Sequence, residues 1–122
     1  MSAPTSDPHA LTDSEFHARS QAVLAAIEVA LDRWLQDDVI DIDSQRTGGL
    51  LELDIPGGGK LVVNTQPPLH ELWLAARKGG YHFRWVGDRW VDSREGGEFF
   101  AVLSRELSAQ AGRTLSIAPV SA

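Results

Sequence analysis

The chain has 122 residues, a net charge of -6 and no cysteine. That length suits a single core. The lack of cysteine excludes a disulfide scaffold, a cysteine zinc site or a cysteine-ligated cluster held by this chain. Residues 1–55 carry eleven acids against three Arg or Lys, and residues 56–122 carry six against eight, so charges of -8 and +2 make up the total. Such an imbalance disfavours nucleic acid, whose phosphates need a basic footprint, and suits cations or a basic protein surface.

Residues 1–11, rich in Pro, Ser, Ala and Thr, read as a disordered tail. They show no basic stretch followed by an apolar run, so they do not read as a secretory signal. No apolar run later in the chain approaches a membrane span, and the expected location is cytoplasmic. Thr12-Asp13-Ser14-Glu15 is a capping-box pattern, and it predicts a long helix running to about residue 35. Phe16, Val23, Ile27, Ala30, Leu31 and Trp34 recur at helical spacing as its buried stripe. His17, Gln21, Glu28 and Asp32 fall on a different stripe, because offsets of 4, 11 and 15 return to nearly the same azimuth.

Six strand patterns follow. "DDVIDIDS" alternates, with Ile40 and Ile42 inward and Asp41 and Asp43 outward. "LLELDI" places Leu51, Leu53 and Ile55 on one face and Glu52 and Asp54 on the other. "PGGGK" reads as a flexible turn into "KLVVNT", and "HELWLAA", "GGYHFRW" and "DRWVDS" are joined by "RKGG" and "VGD". Connections this short predict an antiparallel meander, since parallel strands need long crossovers. Residues 98–111 read as a second helix with Phe99, Val102, Leu103 and Leu107 inward and Gly112 as its C-cap. The pattern assigns no partner to the apolar remnant "TLSIAPV". The expected fold is α+β, a two-layer sandwich in which both helices cover one face of an antiparallel sheet of about six strands. The expected domain spans residues 12–118, with 119–122 as a tail.

One residue resists this scheme. In a strand over "HELWLAA", Leu72, Leu74 and Ala76 share the buried face, which sends Trp73 to the face shared with Glu71, toward water. An exposed aromatic on a flat sheet serves either as an interface anchor or as a cross-strand packing partner. Trp85 and Trp90 fit the packing role, and Trp34 reads as core.

The run "NTQPPLHELWLA" followed by "KGGYHF" resembles the signature of the frataxin family in its bacterial, CyaY-type form. "DSEFH" at the start of the long helix, the pair Gly48-Gly49 and the "WV" strand before the second helix match as well. The resemblance spans residues 13 to about 117. It implies a helix–sheet–helix sandwich and a role in iron–sulfur cluster assembly, with weak iron binding on an acidic ridge. It also implies docking on the cysteine desulfurase and the iron–sulfur scaffold protein. The candidate metal ligands are then Glu28, Asp32, Asp37, Asp38, Asp41 and Asp43, with Glu15 and His17 at the far end of the helix. They would hold Fe2+ or Fe3+ weakly at the surface. Members of the family often pair acids near the end of this helix, whereas here Val29 follows Glu28 and Arg33 follows Asp32, which thins the ridge. The bland alternative is a solvated helix face that keeps a small protein soluble. The resemblance places Trp73 on the open sheet face beside Asn64 and Gln66, which makes these three the candidate partner-binding residues.

Other chemistries find no support. His70 and His82 lie on or beside central strands and read as surface or hydrogen-bonded residues. His9 sits alone in the tail. No E-x-x-H, H-E-x-x-H or G-x-S-x-G pattern occurs, and "PGGGK" lacks the Walker spacing. The expected protein is a non-enzymatic regulator, a monomer without metal, with no nucleic-acid or membrane partner. Two alternatives remain: an iron oxidase or storage-type enzyme using the same carboxylates, and an adaptor with no metal role.

Overall fold

Thr12 caps a helix as its context predicts. In the computed structural model, which describes residues 10–119, α1 spans Asp13–Gln36. The Glu15 N–H donates to Thr12 Oγ1 at 3.1 Å, and the Thr12 N–H donates to Glu15 Oε1 at 2.9 Å. Most of the expected tail, residues 1–9, lies outside the described residues, as do 120–122. The buried face of α1 is Phe16, Ser20, Val23, Leu24, Ile27 and Leu31. Ala30 and Trp34, expected within the stripe, are only half-buried at its flank, and Leu24 takes the central place.

The six strands are β1 (Asp43–Thr47), β2 (Leu50–Ile55), β3 (Gly59–Gln66), β4 (Glu71–Ala76), β5 (Gly79–Val86) and β6 (Arg89–Asp92). They pair antiparallel in chain order, as the short connections demand. A 3-10 turn, Pro67–Leu69, sits between β3 and β4. The first strand begins later than its sequence pattern suggests. The Val39 N–H still donates to the Trp34 carbonyl at 2.8 Å, and Asp38 adopts a left-handed φ of 59°, so the chain is still turning off the helix there. Ile42 is buried and Ile40 half-buried ahead of the strand, and all five residues of β1 lie open at the sheet edge.

Helix α2 spans Phe99–Ala111, with Glu98 as its N-cap rather than its first turn. The Glu98 carboxylate accepts from the N–H groups of Phe100 and Ala101 at 2.8 and 3.1 Å. Gly112 closes the helix with a φ of 71°, the conformation a glycine C-cap supplies without steric cost. The apolar remnant after it lies along α2. The N–H groups of Leu115 and Ile117 donate to Ser108 Oγ and Ser104 Oγ, and both apolar side chains are buried.

Both helices cover one sheet face. Leu51, Leu53, Ile55, Leu61, Val63, Leu72, Leu74, Phe83 and Trp90 point from the strands into one core with Phe16, Leu24, Ile27, Phe99 and Leu103 from the helices. Trp85 packs edge-on against Trp90 at 5.4 Å beneath the Arg19 guanidinium, which gives the pair a packing role. The opposite face has no helical cover.

Candidate functional site

On that uncovered face the register sets Asn64 opposite Trp73 and Trp73 opposite His82. Leu72 and Leu74 are fully buried on the other side, so the alternation does send Trp73 outward, where it is half-buried. Its ring stacks on His82 with centroids 4.2 Å apart and planes 7° from parallel. The next row reads Gln66, Glu71, Arg84 and Val91. Glu71 departs from expectation. It shares the Trp73 face, yet its side chain is 6% exposed. Trp73 Nε1 and Arg84 Nε each donate to it at 2.8 Å, one to each carboxylate oxygen. His82 Nδ1 stands 3.9 Å away. A carboxylate satisfied on both oxygens tolerates a cover of larger side chains, and this one ties Trp73, Arg84 and His82 into one platform.

Burial alone would push the Glu71 carboxyl up. The hydrogen bonds from Trp73 and Arg84 and the nearby positive charge outweigh it, so the group sits below the ordinary carboxylate range. A depressed folded value means that this stabilisation is present above the unfolded value of about 4.3 and is lost as pH falls through the lower folded value. Urea unfolding from about pH 6 to about pH 3 is therefore expected to show a shallower acid loss for Glu71→Gln than for the parent. Parallel curves would mean that the ionised form of Glu71 contributes nothing.

The candidate metal residues are arranged differently. Glu15 is engaged in the cap, where the Thr12 N–H holds its carboxyl below the ordinary range. His17 is exposed one turn further on. Glu28 bonds Arg46 Nη1 at 2.8 Å. Asp32, Asp37, Asp38, Asp41 and Asp43 are all exposed, with Asp37 as the C-cap of α1 and Asp41 and Asp43 flanking buried Ile42. Among the described residues, no three His, Cys, Asp or Glu side chains gather closely enough to hold a metal ion. The donors suit a hydrated hard cation touched by one or two carboxylates at a time. Replacing Glu28, Asp32, Asp38 and Asp41 together by their amides is expected to leave the melting temperature within a few degrees of the parent. The exposed Glu28–Arg46 pair contributes about 0–1 kcal/mol, and Asn accepts the left-handed conformation of Asp38 as readily as Asp does. A large drop in metal-free buffer would make these acids structural.

A frataxin-like domain model matches residues 9–113, nearly all of the described chain. The chain belongs to the frataxin-like family. It is 52% identical over 108 residues to an iron–sulfur cluster assembly protein CyaY of Variovorax paradoxus, covering 88% of this chain and 98% of that one. The solved frataxin of Psychromonas ingrahamii superposes with a TM-score of 0.75 at 32% identity, over 87% of this chain and 97% of that one. A trimeric yeast frataxin in a ferrous complex, at 24% identity and a TM-score of 0.65 over 91% of this chain and 94% of that one, shares the fold. The six-stranded antiparallel sheet with its two helices is the frataxin fold expected from the sequence.

Within this frataxin-like domain, sequence reasoning missed several residues. His82 was left as an ordinary strand histidine, although counting back from the two-residue turn Arg77-Lys78 places it opposite Trp73. His70, also left open, has a left-handed φ of 52°. Its ring stacks on Phe16 at 5.0 Å, and its Nε2 lies 2.7 Å from Asp13 Oδ1, which pins the β3–β4 turn to the start of α1. No local pattern announces that contact, which spans 57 residues. Arg46 was passed over as one cation in an acidic half. Among the described residues, no helix is long and apolar enough to cross a membrane.

Proposed function

We propose that this protein is an iron-binding, non-enzymatic regulator of iron–sulfur cluster assembly, acting on the cysteine desulfurase–scaffold complex. The observation that carries the reading is the platform on the open sheet face. Asn64, Trp73 and His82 form one row, Gln66, Glu71 and Arg84 the next, and no helix lies over them. A flat aromatic held by a stack and a hydrogen bond has already lost its rotamer freedom, so a partner need not order it. Asn64 and Gln66 beside it offer donors and acceptors to a partner's backbone.

The acidic ridge supplies the second contact, for a basic partner surface and for weakly held iron. Glu28, Asp32, Asp37, Asp38, Asp41 and Asp43 are the residues proposed to meet the ion, with Glu15 and His17 at the distal end. Salt weakens contacts of this kind. The one-by-one exposure of these carboxylates favours a regulator over an iron oxidase, which needs two irons bridged by buried acids. The test is desulfurase turnover with scaffold and iron, measured with and without this protein and with its Trp73→Ala variant. A rate change that the parent produces and the variant does not supports the reading. A rate indifferent to the parent overturns it. Aerobic ferrous oxidation well above the buffer rate would favour the oxidase instead.

A further inference from the structure

The strand β1 has one long side chain that reaches back over α1. Arg46 sits opposite buried Leu51, on the helix side of the outermost strand. Its Nη1 bonds Glu28 Oε1 at 2.8 Å, and its Nη2 donates to Gln21 Oε1. Gln21 and Glu28 are two turns apart on one stripe of α1, so the guanidinium spans both. The pair is partly withdrawn from water, with 28% and 34% of the Arg46 and Glu28 side chains exposed. None of the other five ridge carboxylates, Asp32, Asp37, Asp38, Asp41 and Asp43, is in an ion pair among the described residues.

We infer that Arg46 is a built-in counter-ion of the ridge, which occupies the cation position at Glu28 and confines external cations to the Asp32–Asp43 end. The inference rests on the proposed role of the ridge and adds its regulation. A tethered guanidinium competes at an effective concentration in the millimolar range or above, and its planar fork fits a carboxylate and a neighbouring amide better than a hydrated ion does. A divalent ion approaching Glu28 meets a fixed positive charge instead of a free carboxylate. Arg46 thereby sets both the affinity of the ridge and where along it an ion sits.

The test uses Mn2+ as a paramagnetic probe, titrated into the isotope-labelled full chain and its Arg46→Gln variant. In the parent, amide broadening is expected around Asp32, Asp41 and Asp43, sparing the Gln21–Glu28 stretch. In Arg46→Gln it should extend to Glu28, with a few-fold tighter apparent binding. Broadening that already reaches Glu28 in the parent, or identical maps in both, overturns the inference while leaving the ridge reading intact. No ridge broadening in either chain overturns both. Glu28→Gln in the Arg46-containing chain is a second check that does not depend on the stability of the first variant. It should leave the parent's map unchanged, and a lost or shifted map counts against Arg46.

Discussion

Trp73→Ala is expected to weaken docking on the desulfurase–scaffold complex by about thirtyfold or more, the equivalent of the roughly 2 kcal/mol that marks a binding hot spot. Its folding cost should be smaller than that of a core truncation. The stack on His82 accounts for about 0.5–1.5 kcal/mol, and one oxygen of nearly buried Glu71 loses its donor at about 1–3 kcal/mol. Against these, truncating a well-buried core aromatic costs about 3–5 kcal/mol. His82→Ala separates the two roles of the ring. It removes the stack but leaves Trp73 bonded to Glu71, so it should weaken docking less than Trp73→Ala does. Melting temperature and partner affinity measured on the same variants decide the matter. A Trp73→Ala chain that unfolds, or that binds as tightly as the parent, would make the tryptophan a packing residue alone.

The parts of this molecule that were legible in its sequence are those governed by local rules. The capping box at Thr12 and Glu15 is a four-residue signal, and it closes as expected. The meander followed from connection lengths, because a two-residue turn such as Arg77-Lys78 permits only an antiparallel neighbour. The outward placement of Trp73 followed from period-two alternation. What stayed hidden depends on side chains meeting across the fold. Glu71 shares the Trp73 face, yet its burial is created by Arg84 from the next strand and by the indole itself. Arg46 meets α1 across 18 residues and draws Glu28 out of the open ridge, although its own strand looks uniformly polar. Ile40 and Ile42 alternate like a strand, but the turn after α1 carries the chain past them before it joins the sheet. In each case the local pattern was sound and a long-range contact decided the outcome.

Phe83→Ala tests the other face of the same sheet. Phe83 lies one residue from His82 and points the opposite way. It is fully buried, opposite Leu72 on β4 and Asp92 on β6, with the Phe99 ring edge-on at 5.0 Å and Tyr81 at 6.3 Å. Truncation removes an aromatic from the centre of the core and leaves a cavity that the sheet backbone cannot collapse to fill. The expected cost is about 3–5 kcal/mol, which for a domain of this size lowers the melting temperature by roughly 12–25 °C. Docking should behave in the opposite way. Well below the lowered midpoint, the platform of Trp73, His82, Glu71 and Arg84 remains in place, and partner affinity should stay close to that of the parent. Trp73→Ala and Phe83→Ala therefore form a crossed pair, one losing binding more than stability and the other stability more than binding. If both variants lose the two properties in equal measure, the sheet does not divide into a packing face and a docking face. A Phe83→Ala chain that melts within a few degrees of the parent would place the centre of the core elsewhere.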